Sequence, residues 1–129
     1  MAKIIRFEDI EAWQNARLLT KTIYQTTARG AFARDFSLCD QIRRAGVSTM
    51  SNIAEGFERG GNREFVQFLS NAKGSAGEIK SQLYVALDAG FLAEAQFSTL
   101  YSMADQTGRL IGGFMRYLQS SSLRGGKFK

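Results

Sequence analysis

Apolar residues recur every three or four positions through four successive stretches of the chain, and short polar or glycine-containing stretches separate them. This spacing places the apolar side chains on one face of an α-helix, whereas a half-buried strand alternates apolar and polar positions. In the third stretch the apolar stripe includes Phe65, Leu69, Ala72, Ala76 and Leu83. The pattern predicts four amphipathic helices and no strand.

Capping residues and glycines indicate where these helices begin and end. Asp9 and Asn62 are residue types that favour the N-cap, and we expect them to precede the first and third helices. The glycine-containing breaks at Gly30 and at Gly60–Gly61 separate the first three helices, and Gly90 suits the left-handed conformation that ends many helices. The four predicted segments are residues 9–30, 37–61, 63–90 and 94–119.

Long helices with short connections predict an all-α fold, an antiparallel up-down-up-down four-helix bundle over residues 1–119. The fourth helix follows Ala93, a weak N-cap.

Residues 120–129 read SSSLRGGKFK, with two glycines and three cations, and are expected to form a flexible basic tail. The net charge is +5, of which the tail supplies three charges, so the bundle itself carries only +2.

The composition excludes several kinds of active site. The chain has no histidine, so it cannot form a Ser-His-Asp triad, a Cys-His pair or the histidine-containing di-iron site of some bundles. Cys39 is the only cysteine, so no internal disulfide can form, which suits a reducing compartment. Its place on the apolar side of the second helix predicts a buried structural thiol. Because none of these sites can form, we expect no metal and no cofactor.

Two short motifs lack the context that would make them functional. Residues 70–73 match the S-x-x-K pattern of serine acyl-transfer enzymes, but the accompanying S-D-N and K-T-G elements are absent. Residues 74–77 match the GXXG backbone clamp of KH domains, but they fall within a strong helical pattern. Small residues in mid-helix more often allow a neighbouring helix to approach closely, which is the interpretation we favour. We predict no enzymatic activity.

The second helix carries an organised polar stripe, made up of Arg44, Ser48, Asn52, Glu55 and Arg59. One interpretation is a solvated face with ion pairs between residues four apart. The alternative is a contact surface for a partner helix or an RNA phosphate, and the sequence does not decide between them. The candidate nucleic-acid-binding residues are Arg43, Arg44, Arg59, Arg63, Arg124, Lys127 and Lys129.

The fourth helix has more apolar residues than one core stripe needs. Met103, Leu110, Phe114 and Tyr117 project away from the stripe that contains Phe97. They are either part of a wide core face covered by apolar residues of the tail or a subunit interface. We favour the interface, which predicts a homo-oligomer.

No sequence feature indicates export or a membrane. The N-terminus lacks the apolar run of a signal peptide, and no window approaches the roughly 18 apolar residues that a membrane span needs. These features predict a cytoplasmic protein without a membrane partner.

Several motifs occur in order along the chain: FEDIEAWQNAR, DQIRRA, SNIAEG, EFVQFLSNAKGS and QLYVALDAG, at residues 7–17, 40–45, 51–56, 64–75 and 82–90. Together they resemble the bacterial four-helix-bundle proteins encoded by intervening sequences in large-subunit ribosomal RNA genes. That family is similar to the accessory variability determinant of diversity-generating retroelements. The resemblance covers residues 7–119. The chain departs from it at Met50, where many relatives carry proline, and at Ala93, where a serine or threonine cap is common.

The resemblance implies an antiparallel four-helix bundle that assembles as a ring-like homopentamer and has no enzymatic activity. For the retroelement relatives it implies binding to a reverse transcriptase and to nucleic acid through a positively charged surface. The sequence therefore predicts a non-enzymatic, oligomeric module that binds RNA, DNA or a ribonucleoprotein partner. The alternative is a protein-interaction scaffold with no nucleic-acid role.

Overall fold

Four long helices make up nearly all of the computed structural model, which describes residues 3–122. They are α1 (Glu11–Thr27), α2 (Phe36–Arg59), α3 (Asn62–Asp88) and α4 (Glu94–Ser122), with short 3-10 helices at Phe7–Asp9 and Phe32–Arg34. The described residues contain no strand. The predicted all-α four-helix fold is confirmed.

Neighbouring helices in the sequence pack side by side, and α1 also packs against α4, so the four helices close around one core. Ser48 contacts Ser75 in the middle of α2 and α3, while Arg59 contacts Glu64 next to their connection. This pairing makes α2 and α3 antiparallel. The side-chain amide of Asn62 donates to the Leu118 carbonyl, which places the start of α3 beside the end of α4.

The core consists of two apolar clusters along the bundle. One contains Ile23, Phe32, Ile42, Leu83 and Leu100, and the other contains Ile10, Ile53, Phe65, Ile111 and Leu118. Three buried threonines lie near the middle of their helices, and each donates its hydroxyl hydrogen to the carbonyl four residues earlier; they are Thr20, Thr49 and Thr107. Their polar groups are satisfied within their own helices, so they can be buried at little cost.

Two of the expected N-caps do something else. Asp9 lies in a 3-10 helix, and its carboxylate accepts hydrogen bonds from the N–H groups of Ile5 and Arg6 at 3.0 and 3.2 Å. These bonds, that from Ile5 first, lower the pKa of Asp9 because they stabilise the charged form. Asn62 is the first residue of α3 rather than the residue before it, and it is buried. Both capping predictions are wrong. The Asp9 carboxylate binds N–H groups that precede it in the chain, and the Asn62 side chain binds the backbone of α4.

Helices α2 and α4 each have a capping hydrogen bond at their start. Asp35 caps α2 by accepting a hydrogen bond from the Leu38 N–H at 2.9 Å, a cap that the sequence analysis did not identify. At α4, the N–H of Ala93 donates to the Gln96 side chain at 2.9 Å, which is half of a capping box. Helix α2 runs without interruption through Met50. Helix α4 continues to Ser122, three residues beyond the predicted end at 119.

Candidate nucleic-acid interface

Exposed cations gather on the solvent side of the contact between α3 and α4. This set, called here the basic seam, comprises Arg63 and Lys73 of α3 and Arg109 and Arg116 of α4. Lys73 reaches across to α4, where its Cε atom lies 3.3 Å from the position that a Cβ atom would take on Gly112. The guanidinium of Arg116 lies 3.6 Å from the same position. Lys73 and Arg116 are therefore neighbours that belong to different helices.

The arrangement follows from helix geometry and from one glycine. Arg109 and Arg116 are seven residues apart, two turns of helix, and so share a face of α4. Gly112 lies between them and is buried, because the aliphatic stem of Lys73 covers it. Arg63 precedes Lys73 by ten residues, roughly 15 Å along α3. With Gln119 of α4 it lines a surface depression of about 370 Å³.

Arg109 joins the seam through an ion-pair network. One oxygen of Asp105 lies 2.8 Å from Arg109 Nε, and the other lies 2.9 Å from Lys80 Nζ of α3. The hydrogen bond from Arg109, followed by that from Lys80, lowers the pKa of the Asp105 carboxyl. The network contains two cations and one anion, so it adds a net positive charge to the seam.

The other three cations of the seam have no such neutralising partner. Arg63, Lys73 and Arg116 are exposed, and none forms an ion pair with any residue in the described part of the chain. Exposed cations that are not neutralised attract phosphate groups, whose condensed counterions are released on binding. The seam is therefore chemically suited to a nucleic-acid backbone.

The predicted arginines do not form one surface. Arg59 donates to Glu55 at 3.0 Å and to Glu64 at 3.2 Å, so two carboxylates offset its charge. Arg44 is paired with Asp40 at 2.8 Å. These contacts match the solvated, ion-paired interpretation of the α2 stripe, although two other stripe residues, Ser48 and Asn52, are half-buried.

Arg43 lies on the opposite side of the bundle from the seam, between α1 and α2. Its guanidinium stacks on the Tyr24 ring at 4.6 Å, and its Nε atom donates to the Thr27 hydroxyl at 2.8 Å. Of the predicted set, only Arg63 lies in the basic seam. Three further predicted cations lie outside the described residues and follow α4 in the sequence; they are Arg124, Lys127 and Lys129.

Lys73, Arg109 and Arg116 are not among the cations predicted from the sequence to bind nucleic acid. The seven-residue spacing of the two arginines, with Gly112 between them, was the available signal. That spacing shows a shared face, but it does not show which helix packs beside it. The contribution of Lys73 depends on that packing.

Most of the extra apolar residues predicted on α4 are buried or half-buried. Phe114 is only 8% exposed and packs edge-on against Phe65 at 5.4 Å, so the interpretation that it lies outside the core is wrong. Met103 and Leu110 are half-buried, and Tyr117 is 41% exposed. The reason is that α4 packs against both α1 and α3, which widens its buried face. Leu110, Phe114 and Tyr117 still line one groove of about 480 Å³ beside α1.

Cys39 is buried, as predicted, and its thiol donates to the Phe32 carbonyl at 3.0 Å. Burial raises the pKa of the thiol because it disfavours the thiolate. Within residues 3–122, no group of three or more metal-binding side chains comes together. No helix described here is both long and apolar enough to cross a membrane.

Comparisons with known proteins place the chain in a family. A solved structure of a protein of unknown function, from the S23 ribosomal protein family of Bacteroides thetaiotaomicron, matches with a TM-score of 0.74 and 18% identity. The match covers 81% of this chain and 97% of that chain, and at this identity it shows a shared fold. No curated protein matches. The family model of the 23S rRNA-intervening sequence proteins matches residues 8–113, and the chain therefore belongs to that family.

Proposed function

We propose that this protein is a non-enzymatic, cytoplasmic binding module that assembles as a homo-oligomer and contacts nucleic acid through the basic seam. The observation that carries the proposal is the proximity of Lys73 and Arg116 across the contact between α3 and α4. Arg63 lies further along α3, beside Gln119 of α4, and none of the three cations has a carboxylate partner among the described residues. RNA is the first ligand to test, since the family takes its name from a ribosomal RNA sequence. A ribonucleoprotein, including one that contains a reverse transcriptase, is the corresponding larger partner.

The basic seam lies towards the end of the bundle from which the C-terminal segment continues. Asn62 of α3 contacts Leu118 of α4 at that end, and the chain continues past Ser122 with three cations. These cations can extend the same phosphate-binding surface. A pentamer would carry five times the +5 charge of one chain, which further favours attraction of a polyanion.

The salt dependence of binding tests this proposal. Binding of a labelled RNA, followed by fluorescence anisotropy, is expected to weaken by about 100-fold between 50 and 200 mM salt if four phosphates are neutralised. A chain that ends at Ser122 is expected to bind more weakly and with a shallower salt dependence, because it lacks three cations. Binding that is absent, or that does not change with salt, would contradict the proposal.

A protein-interaction scaffold is the second candidate function, and the groove between α1 and α4 favours it. The groove measures about 480 Å³, and Leu110, Phe114 and Tyr117 line it. An apolar surface of this kind is typical of a contact with another protein chain. In this second interpretation the protein forms the same oligomer but does not bind nucleic acid.

Blocking this groove is expected to give monomers. Gly113 lines the groove, and a Cβ atom placed there would have only Arg116 within 4 Å, so Gly113→Arg can fold while filling the groove. Leu110→Glu places a charge on the same surface. Light scattering should show a lower mass for both variants than for the wild-type protein. An unchanged mass in both, with the helical content retained by circular dichroism, would exclude this groove as the subunit contact.

A further inference from the structure

A second groove lies between α1 and α2, on the side of the bundle opposite to the basic seam. It measures about 820 Å³, a volume in the range of small-ligand sites. Its lining includes Tyr24 of α1 and Phe36, Arg43 and Val47 of α2, and these four residues define what is called here the α1–α2 groove. It is separate from the groove between α1 and α4.

The apolar part of this groove is unusually open to solvent. Phe36 is 79% exposed, and Tyr24 and Val47 are both exposed as well. Phe36 and Val47 are eleven residues apart, three turns of α2, so both point to the same side of that helix. A lone exposed apolar residue needs no explanation, but three in one groove provide a surface that a flat apolar group can cover.

The polar part of the groove presents a fixed cation. The Arg43 guanidinium stacks on Tyr24 at 4.6 Å, and the hydrogen bond from its Nε to Thr27 holds it in place. Arg43 forms no ion pair within residues 3–120. Arg44 and Asp40 also line the groove and neutralise one another, so the charge of Arg43 is in excess. An anionic group is the complement of this charge.

We infer that the α1–α2 groove binds unpaired nucleotides of a single-stranded nucleic acid. A base stacks on the exposed face of Phe36, and a neighbouring phosphate binds Arg43. Aromatic rings combined with arginines are the usual means by which proteins bind single strands. Bases inside a duplex are stacked on each other and cannot stack on such a ring. The inference rests on the proposed function, and it adds a preference for single strands to backbone binding by the basic seam.

The test compares one RNA sequence as a single strand and as a duplex, by fluorescence anisotropy at constant salt. Phe36→Ala is expected to weaken single-strand binding about 10-fold, a loss typical of one stacked base, and to leave duplex binding unchanged. Leu18→Ala is the control, because Leu18 is 54% exposed on α1 but does not line the groove. It should change neither affinity.

The substitution Asp40→Asn makes the α1–α2 groove more positive and tests whether affinity for the single strand then rises. Without its carboxylate, Arg44 is no longer neutralised, and single-strand binding is expected to become several-fold tighter. Phe36 and Asp40 are both exposed, so both variants should fold, which circular dichroism can check.

The possible failures are distinguishable. If the wild-type protein binds neither the single-stranded nor the duplex form of the RNA, both the proposed function and this inference are wrong. If it binds both forms but Phe36→Ala leaves their affinity ratio unchanged, only the inference is overturned. A Phe36→Ala variant with a reduced mass in light scattering and an unchanged affinity ratio would show instead that the groove is a contact with a protein chain.

Discussion

Replacing Gly56 by alanine is expected to lower the free energy of unfolding by about 2 kcal/mol. Gly56 is buried in α2, facing α3. A Cβ atom placed there would lie 2.6 Å from Phe65 Cδ1 and 2.8 Å from Phe68 Cβ, both closer than real atoms pack. Phe65 is fully buried and the Phe68 Cβ is attached to the backbone of α3, so neither can withdraw without moving the helix.

Gly74→Ala is the matched control, and it is expected to act in the opposite direction. No heavy atom lies within 4 Å of a Cβ placed at Gly74, which is exposed in the interior of α3. Alanine costs less backbone entropy than glycine in a helix, so the substitution should stabilise the protein by about 0.5–1 kcal/mol. Urea unfolding followed by circular dichroism measures both effects. A Gly56→Ala variant as stable as the wild-type protein would contradict the packing argument.

This pair of glycines shows where sequence analysis reaches its limit. The prediction that the small residues at 74–77 allow a close helix approach holds for part of the segment: Ser75 contacts Ser48 of α2 and Ala76 is buried, whereas Gly74 and Gly77 face open space. The tightest glycine contact of α2 is at Gly56, where the aromatic side chains of α3 lie opposite. Periodicity shows which face of a helix is apolar, but it does not show which residue of the next helix lies opposite a given glycine.

The fold was largely predictable, because each helix carries its own apolar stripe. The helix ends were less so. Asp9 and Asn62 resemble N-caps in the sequence, but in the fold their side chains bind groups outside the cap position. The width of the buried face of α4 was also unpredictable from one helix alone. Phe114 is buried because α4 has a neighbour on each side.

The candidate site depended even more on tertiary contacts. Arg59 appeared available in the sequence, but Glu64 from the next helix adds a second carboxylate to its ion pair with Glu55. Lys73 appeared ordinary, but the packing of α3 on α4 places it beside Arg116. Charge counting along the chain cannot show which cations are neutralised from another helix.

Reversing two charges in the basic seam is expected to reduce RNA affinity on the order of 100-fold near 100 mM salt. The variant is Lys73→Glu combined with Arg116→Glu, which removes two phosphate contacts and adds two repulsive charges. Each lost contact should also reduce the slope of the logarithm of affinity against the logarithm of salt by about 0.7 to 0.9. Fluorescence anisotropy at several salt concentrations measures both quantities.

The control for this variant must have the same net charge. Lys21→Glu combined with Arg29→Glu meets this need, since both residues are exposed and neither belongs to the basic seam. Each double variant lowers the net charge by four. If attraction depends only on total charge, the two variants will lose affinity equally, and the seam has no special role. If the seam contacts the phosphates, the control will keep most of the salt slope while the Lys73 and Arg116 variant loses about 1.4 to 1.8 units of it, because only local contacts release counterions.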